Sequence, residues 1–244
     1  MKGTCRTSVR LNGMENKRLK IGMVVAVEID AVINKYEGAL EDVPAKGFQV
    51  KKHAAEKYDL YVVNSGAGEI AAASAAQYLI SAIGVDMIVN FGVVGGLTPE
   101  MTVAKLAVVT NVVHYDYDIS EYLGYPKAQY AAYDSVYIPT TASLCEAAMR
   151  VEPTLKPVIC ASGDKFIGEA ERKWSLHEEF NADICEMEAA GVVLTANRSG
   201  VPCLLIKAVS DSMGGGAEEF AKEFERAAAI CLETVDRVIS SEIA

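Results

Sequence analysis

The chain has 244 residues, 33 acidic against 23 basic, for a formal net charge of −10, and 51% of it is hydrophobic. That length suits one α/β domain, and the acidic excess argues against a protein that grips a nucleic-acid backbone, which needs a basic face. No run of about eighteen apolar residues occurs, so no membrane span is expected. Six cysteines without a CxxC pair read as reduced thiols of a cytoplasmic protein, and three scattered histidines argue against a metal site.

Residues 1–19 are basic and polar with no apolar core. They read as a separate extension, expected to be poorly ordered, rather than as a secretory signal, with Met14 an alternative start. The folded domain is expected over 20–244. A Val-rich run at 20–27 suits a strand covered on both faces. A second run, 59–64, leads through Ser65-Gly-Ala-Gly68 into an Ala-rich helix over 69–81. Strands follow at 87–91, ending in a glycine-rich turn, and at 104–114, 157–162 and 202–209. Helices are expected at 142–150, 169–180, 187–199 and 217–240. The last shows a helical apolar stripe that includes Phe220, Phe224, Ala227, Ala228, Cys231 and Val235. The alternation of strands and helices predicts one α/β domain around a central sheet.

The run 183–190, Asp-Ile-Cys-Glu-Met-Glu-Ala-Ala, and the run Lys207-Ala-Val-Ser-Asp211 put Glu186, Glu188 and Asp211 at the ends of otherwise apolar segments. Charged side chains are costly in a core unless paired or used. Carboxylates at strand C-termini of an α/β sheet point to a polar ligand held there. Simpler readings exist for each: Asp211 as a cap of the next loop, Glu186 and Glu188 as acids that favour a helix N-terminus, and Asp30 as the N-cap of a helix over 31–38. Phe166 and Ile167, in Ser162-Gly-Asp-Lys-Phe-Ile-Gly168, read equally well as core residues on a loop.

Together with Asn90-Phe-Gly-Val-Val-Gly-Gly-Leu97, these runs resemble, in order and spacing, the nucleoside phosphorylase and nucleosidase superfamily, and within it the 5′-methylthioadenosine/S-adenosylhomocysteine nucleosidases. The resemblance implies a single nucleoside phosphorylase-like domain with a mixed, partly barrel-like central sheet flanked by helices. It implies hydrolysis of the N-glycosidic bond of a 5′-modified adenine nucleoside to adenine and free sugar, with no metal or organic cofactor. It also implies a homo-oligomer, a dimer first, whose neighbouring subunit closes the 5′ end of the pocket.

The resemblance assigns roles as well. Asp211 is the general acid that protonates N7 so that the base leaves neutral, with Ser210 beside it. Glu188 holds the ribose 2′- and 3′-hydroxyls, Met187 packs on the sugar, and Glu186 shapes the site. Phe166 stacks on the purine while the backbone of Ile167 reads its edge, and Gly95 offers a backbone contact under the ribose. Asp30 orients the attacking water, with Glu28 the near alternative. Three departures gather at the nucleophile's subsite: Asp30 where a glutamate is usual, Val93 in place of Ser or Thr, and Lys207 in place of Arg. The segment Met213–Glu219 is expected to help set the 5′ preference. In His114-Tyr-Asp-Tyr-Asp118, a family motif near the dimer interface, Tyr115 replaces the usual histidine.

Three other readings compete. A phosphorylase of this fold would hold phosphate with arginines, and none lies between residues 19 and 149. A dinucleotide-binding oxidoreductase would use Gly66-Ala-Gly-Glu-Ile-Ala71, but the acid about twenty residues on, Asp86, begins a strand instead of ending one. A protein that binds adenine nucleosides without cleaving them would fit the altered nucleophile subsite.

Overall fold

The computed structural model describes residues 18–243. The extension expected over 1–19 lies, up to residue 17, outside the described residues, and Leu19 already belongs to a strand. In chain order the elements are β1 (Leu19–Val25), α1 (Ile29–Lys35), β2 (Leu40–Val43), β3 (Gln49–Ala54), β4 (Tyr58–Asn64) and α2 (Glu69–Tyr78). Then come β5 (Met87–Gly96), β6 (Leu106–His114), α3 (Ser120–Leu123), β7 (Ile138–Pro139), α4 (Ala142–Val151) and β8 (Lys156–Ser162). The chain closes with α5 (Ala170–Phe180), β9 (Ile184–Glu186), α6 (Ala189–Ser199), β10 (Cys203–Asp211) and α7 (Ala217–Val238). A π-helical turn extends each of α2 and α7, at Leu79–Ile83 and Ile239–Ile243.

The strands form one mixed sheet in the order β10-β6-β8-β9-β5-β1-β4-β3-β2, and β10 also pairs with β5. That second pairing closes β5, β10, β6, β8 and β9 into a five-stranded ring, while β1 to β4 extend from β5 as an open wing. The expected mixed, partly barrel-like sheet is the one found. β1, β4, β5 and β10 run parallel to their neighbours within that group. β9 meets β5 antiparallel, with Gly95 opposite Cys185. Parallel strands buried on both faces read as unbroken apolar runs, and β10 is buried at all nine residues.

Helices cover both faces. Ala72, Ala75 and Ala76 of α2 pack with Ala189, Val192, Val193 and Ala196 of α6 on one side. Val32 of α1, Leu144 and Ala148 of α4, and Ala227, Cys231 and Val235 of α7 pack on the other. Small residues let α2 and α6 lie close, and α6 stops where Gly200 turns left-handed just before Pro202. The five cysteines of the described residues are buried free thiols. Among the described residues no helix is long and apolar enough to cross a membrane.

One expectation is corrected here. The glycine-rich run after residue 91 is not a turn. β5 continues to Gly96, because its far end pairs with β10 and β9 and those ladder bonds keep it extended. The short strands β2, β3 and β7, which the sequence reading did not mark, carry too few alternating apolar residues to announce themselves; β2, for example, is Leu-Glu-Asp-Val.

Candidate active site

The chain leaves β1, β5, β9 and β10 at their C-terminal ends around one cavity of roughly 690 Å³ including its open mouth. Val27 and Glu28 follow β1, Val93 to Gly95 end β5, Glu186 to Glu188 follow from β9, and Ser210 and Asp211 end β10. Phe166 and Ile167 come from the loop between β8 and α5. The structure therefore brings Asp211, Glu188, Met187, Glu186, Phe166, Ile167, Gly95, Val93 and Ser210 to one wall or another of the same space.

It does not bring Asp30 there. Asp30 is exposed in the first turn of α1 and faces a separate groove beside Asn34, Lys35 and Glu233. The residue that enters the cavity is Glu28, 4% exposed, at the N-cap position of α1. The reason is where the helix begins. With Ile29 as its first residue, Glu28 sits at the bend between strand and helix, and Asp30 has already rotated outward. Glu28 Oε1 accepts the Val93 N–H at 2.9 Å and Oε2 accepts the Val27 N–H at 3.1 Å. Burial pushes its carboxyl above the ordinary range.

Asp211 is 1% exposed and doubly held. Ser210 Oγ donates to Oδ1 at 2.8 Å, and Lys173 Nζ donates to Oδ2 at 2.5 Å. Lys173, in α5, is fully buried and also reaches the carbonyls of Ser212 (2.6 Å) and Gly215 (3.3 Å). Its three hydrogens thus tie the general-acid candidate to the loop beyond β10. Gly95 lies against this pair; a Cβ added there would stand 3.2 Å from Asp211 Oδ2 and 3.1 Å from Cys185 Sγ.

Glu188 stands at the N-cap position of α6 at 9% exposure, but its side chain turns away from the helix, with Oε1 accepting the Gly68 N–H at 2.8 Å. Burial, then the neighbouring Glu186 charge, push its carboxyl up to about 7. Glu186 accepts the N–H groups of Glu188 (3.1 Å) and Ala189 (2.9 Å) and pairs with Lys207 Nζ at 3.1 Å. Lys207 is 2% exposed and stands behind the cavity wall rather than in it. Burial works against its charge, but Glu186, Glu188 and Glu28 around it hold it firmly protonated.

Phe166 is 46% exposed and packs edge-on against Phe220 (centroids 5.5 Å, planes at 77°), which also lines the cavity. The first turn of α7 therefore supplies an aromatic wall that the apolar stripe alone assigned to the core. Met213–Glu219 does not itself line the space; its Glu219 accepts the N–H and hydroxyl of Ser212 at 2.6 and 2.8 Å.

The glycine loop before α2 is occupied from within. Its N–H groups at Gly68 and Glu69 donate to Glu188 and to Asp164 (2.7 Å). A pyrophosphate would have to displace two of the protein's own carboxylates, so the dinucleotide reading fails on geometry.

A sequence profile of the phosphorylase superfamily matches residues 20–243. The chain is 32% identical to an aminodeoxyfutalosine nucleosidase of Campylobacter jejuni, over 69% of this chain and 75% of that one. It is 28% identical to a 5′-methylthioadenosine/S-adenosylhomocysteine nucleosidase of Staphylococcus aureus, over 90% and 99%. Among solved structures, a Helicobacter pylori 5′-methylthioadenosine/S-adenosyl homocysteine nucleosidase superposes with a TM-score of 0.86 at 27% identity, covering 91% of this chain and 98% of that one. The ring-and-wing sheet, the carboxylates at its strand ends and this match across nearly the whole described chain agree, and the protein belongs to the phosphorylase superfamily.

Proposed function

We propose that the chain is an N-ribosyl hydrolase that cleaves a 5′-modified adenine nucleoside, such as methylthioadenosine, S-adenosylhomocysteine or aminodeoxyfutalosine, to adenine and the free sugar. The observation that carries this reading is Glu28. Its buried carboxylate takes the Val93 N–H at the end of β5, where a phosphorylase would present donors to phosphate. Among the described residues no arginine lines the cavity, its one lining lysine, Lys165, is an exposed residue of the loop between β8 and α5, and the two buried lysines are committed to Glu186 and Asp211. A phosphate dianion placed beside Glu28 and Glu188 would meet repulsion, whereas a water molecule would meet an acceptor.

The chemistry follows from the walls. The purine lies on Phe166 with Phe220 behind it, N7 toward Asp211. Glu188 accepts hydrogen bonds from the ribose hydroxyls, and these strengthen as the sugar gains positive charge. As the C1′–N9 bond breaks, its electron pair passes to the base, and a proton from the Asp211–Lys173 pair reaches N7 so that adenine leaves neutral. Water held by Glu28 forms the new C1′–O bond and gives its proton to that carboxylate. Glu28 thus takes the water-orienting role that the aligned motif gave to Asp30. The reading includes a homodimer, supported by Ile70 (81% exposed) at the start of α2 and Tyr122 (85%) in α3, apolar surface that a second subunit would cover.

Turnover tests it. Incubation with each of the three nucleosides should release adenine at a rate independent of phosphate. Binding without any adenine release would show a nucleoside-binding protein instead.

A further inference from the structure

The buried carboxyls of the site outnumber their cations. Glu28, Glu69, Glu186, Glu188 and Asp211 share Lys173 and Lys207. Glu69, at the first position of α2, is the one no sequence motif assigned. It is 7% exposed and points inward, because Gly191 of α6 lets the helix start approach; a Cβ on Gly191 would meet the Glu69 carbonyl at 2.4 Å.

Hydrogen counting fixes its state. Ser162 Oγ, at the end of β8, touches Glu69 Oε1, Glu186 Oε1 (2.6 Å) and the Ala190 N–H (3.1 Å). The amide uses one lone pair of the hydroxyl, and the hydroxyl has a single hydrogen. It cannot donate to two carboxylates, so one of them must donate to it. Glu186 is the wrong choice, since it already accepts two backbone N–H groups and pairs with Lys207. Burial works against its charge, but Lys207 and the surrounding donors outweigh it and hold its carboxyl below the ordinary range. Glu69 has no cationic partner among the described residues; its second oxygen takes only the Gly191 N–H.

We propose that Glu69 is a neutral carboxylic acid in the working enzyme, a positioning residue whose O–H donates a hydrogen bond to Ser162, so that Ser162 can donate its own to Glu186 and so fix the ribose-facing Glu188. The link to ribose rests on the function proposed above; the protonation itself does not. The groups facing Glu69 are Glu186 from β9, Glu188 at the start of α6, Cys160 from β8, Tyr130 from the segment before β7, and Asp164 on its own backbone N–H. Lys207 of β10 reaches it only through Glu186. Loss of the proton would set a third negative charge beside Glu186 and Glu188 and turn the Ser162 contact repulsive. Burial, then the Glu186 charge, push the Glu69 carboxyl up to about 8. The neutral form therefore prevails below that pH, and the ribose subsite loosens as pH rises through it.

Glu69→Gln is the isostere of the acid, with its carbonyl toward Gly191 and its amide N–H toward Ser162. It should keep kcat at pH 7 within about threefold and remove the fall in kcat/KM that the wild type shows above about pH 8. Infrared difference spectra across a pH titration, without substrate, give a readout that does not depend on activity. The wild type should lose two carboxylic-acid C=O bands, that of Glu188 with a midpoint near 7 and that of Glu69 near 8, and Glu69→Gln should lack the one near 8 while keeping the other. No band with the midpoint near 8 in the wild type overturns the proposal, whether or not the variant folds and whether or not the nucleosides are substrates. The same band in Glu69→Gln, or an unchanged alkaline fall in its kcat/KM, also overturns it.

Discussion

The two ends of the cavity solve the problem of buried charge differently. At the purine end one carboxyl, Asp211, has one lysine, Lys173, and the pair is completed by Ser210 and two loop carbonyls. At the ribose end three carboxyls, Glu28, Glu186 and Glu188, surround the ammonium of Lys207, and a fourth, Glu69, stands beside Glu186 with no cation of its own among the described residues. Matched charges can be held by geometry alone. Unmatched ones raise one another's proton affinity, and Glu28, Glu69 and Glu188 are all raised, Glu69 furthest of the two that reach neutral pH. The purine end is thus built to deliver a proton along a fixed line. The ribose end is built so that its charge state follows pH.

The contrast can be broken most directly at Asp211. Asp211→Asn removes the proton path and should lower kcat by about 10²–10⁴-fold with KM changed only a few-fold; steady-state kinetics with turnover near the wild-type level would remove Asp211 from the mechanism. Lys173→Met attacks the same pair from behind. It leaves a buried carboxylate without its cation and should cost about 3–5 kcal/mol of stability, read by denaturant unfolding. A loss below about 1 kcal/mol would mean that the loop carbonyls, and not Asp211, are what Lys173 serves.

Glu28 and Asp30 sharpen the ribose end. Glu28→Gln should lower kcat by about 10²-fold, whereas Asp30→Asn, on an exposed turn outside the cavity, should stay within about twofold. The reverse order would return the water to Asp30. Glu188→Gln should reduce kcat/KM by about 10–100-fold through lost charged hydrogen bonds, with a raised KM. The smallest effect is on pH dependence. Because the ribose contact needs the ionised carboxyl and Glu188 is raised to about 7, kcat/KM should climb as pH rises through 7. A flat profile from pH 6 to 8 would show that Glu188 binds ribose equally well protonated.

What was legible in the sequence followed the same division. Asp211, Glu186 and Glu188 announced themselves as charges ending apolar strands, a pattern few soluble cores tolerate without use. Long periodic elements such as α7 and the Val-rich strands were readable for the same reason: burial writes a regular pattern. Glu28 against Asp30 was not decidable, because a shift of two residues in the start of α1 exchanges the inward and outward positions. Lys173 left a signal that composition hides. It stands at i of an i, i+3, i+7 stripe completed by Leu176 and Phe180, so a lone charge occupied an inward position of α5. Glu69 looked like an ordinary acid at a helix N-terminus. Only the close approach of α6 and Ser162 shows that it is enclosed.

The most direct test is chromatography of the products formed from methylthioadenosine with and without inorganic phosphate. Water held by Glu28 predicts adenine and the free 5-methylthioribose at the same rate in both. A sugar 1-phosphate formed only when phosphate is present would show that the subsite beside Val93 holds an anion after all, and would contradict hydrolysis.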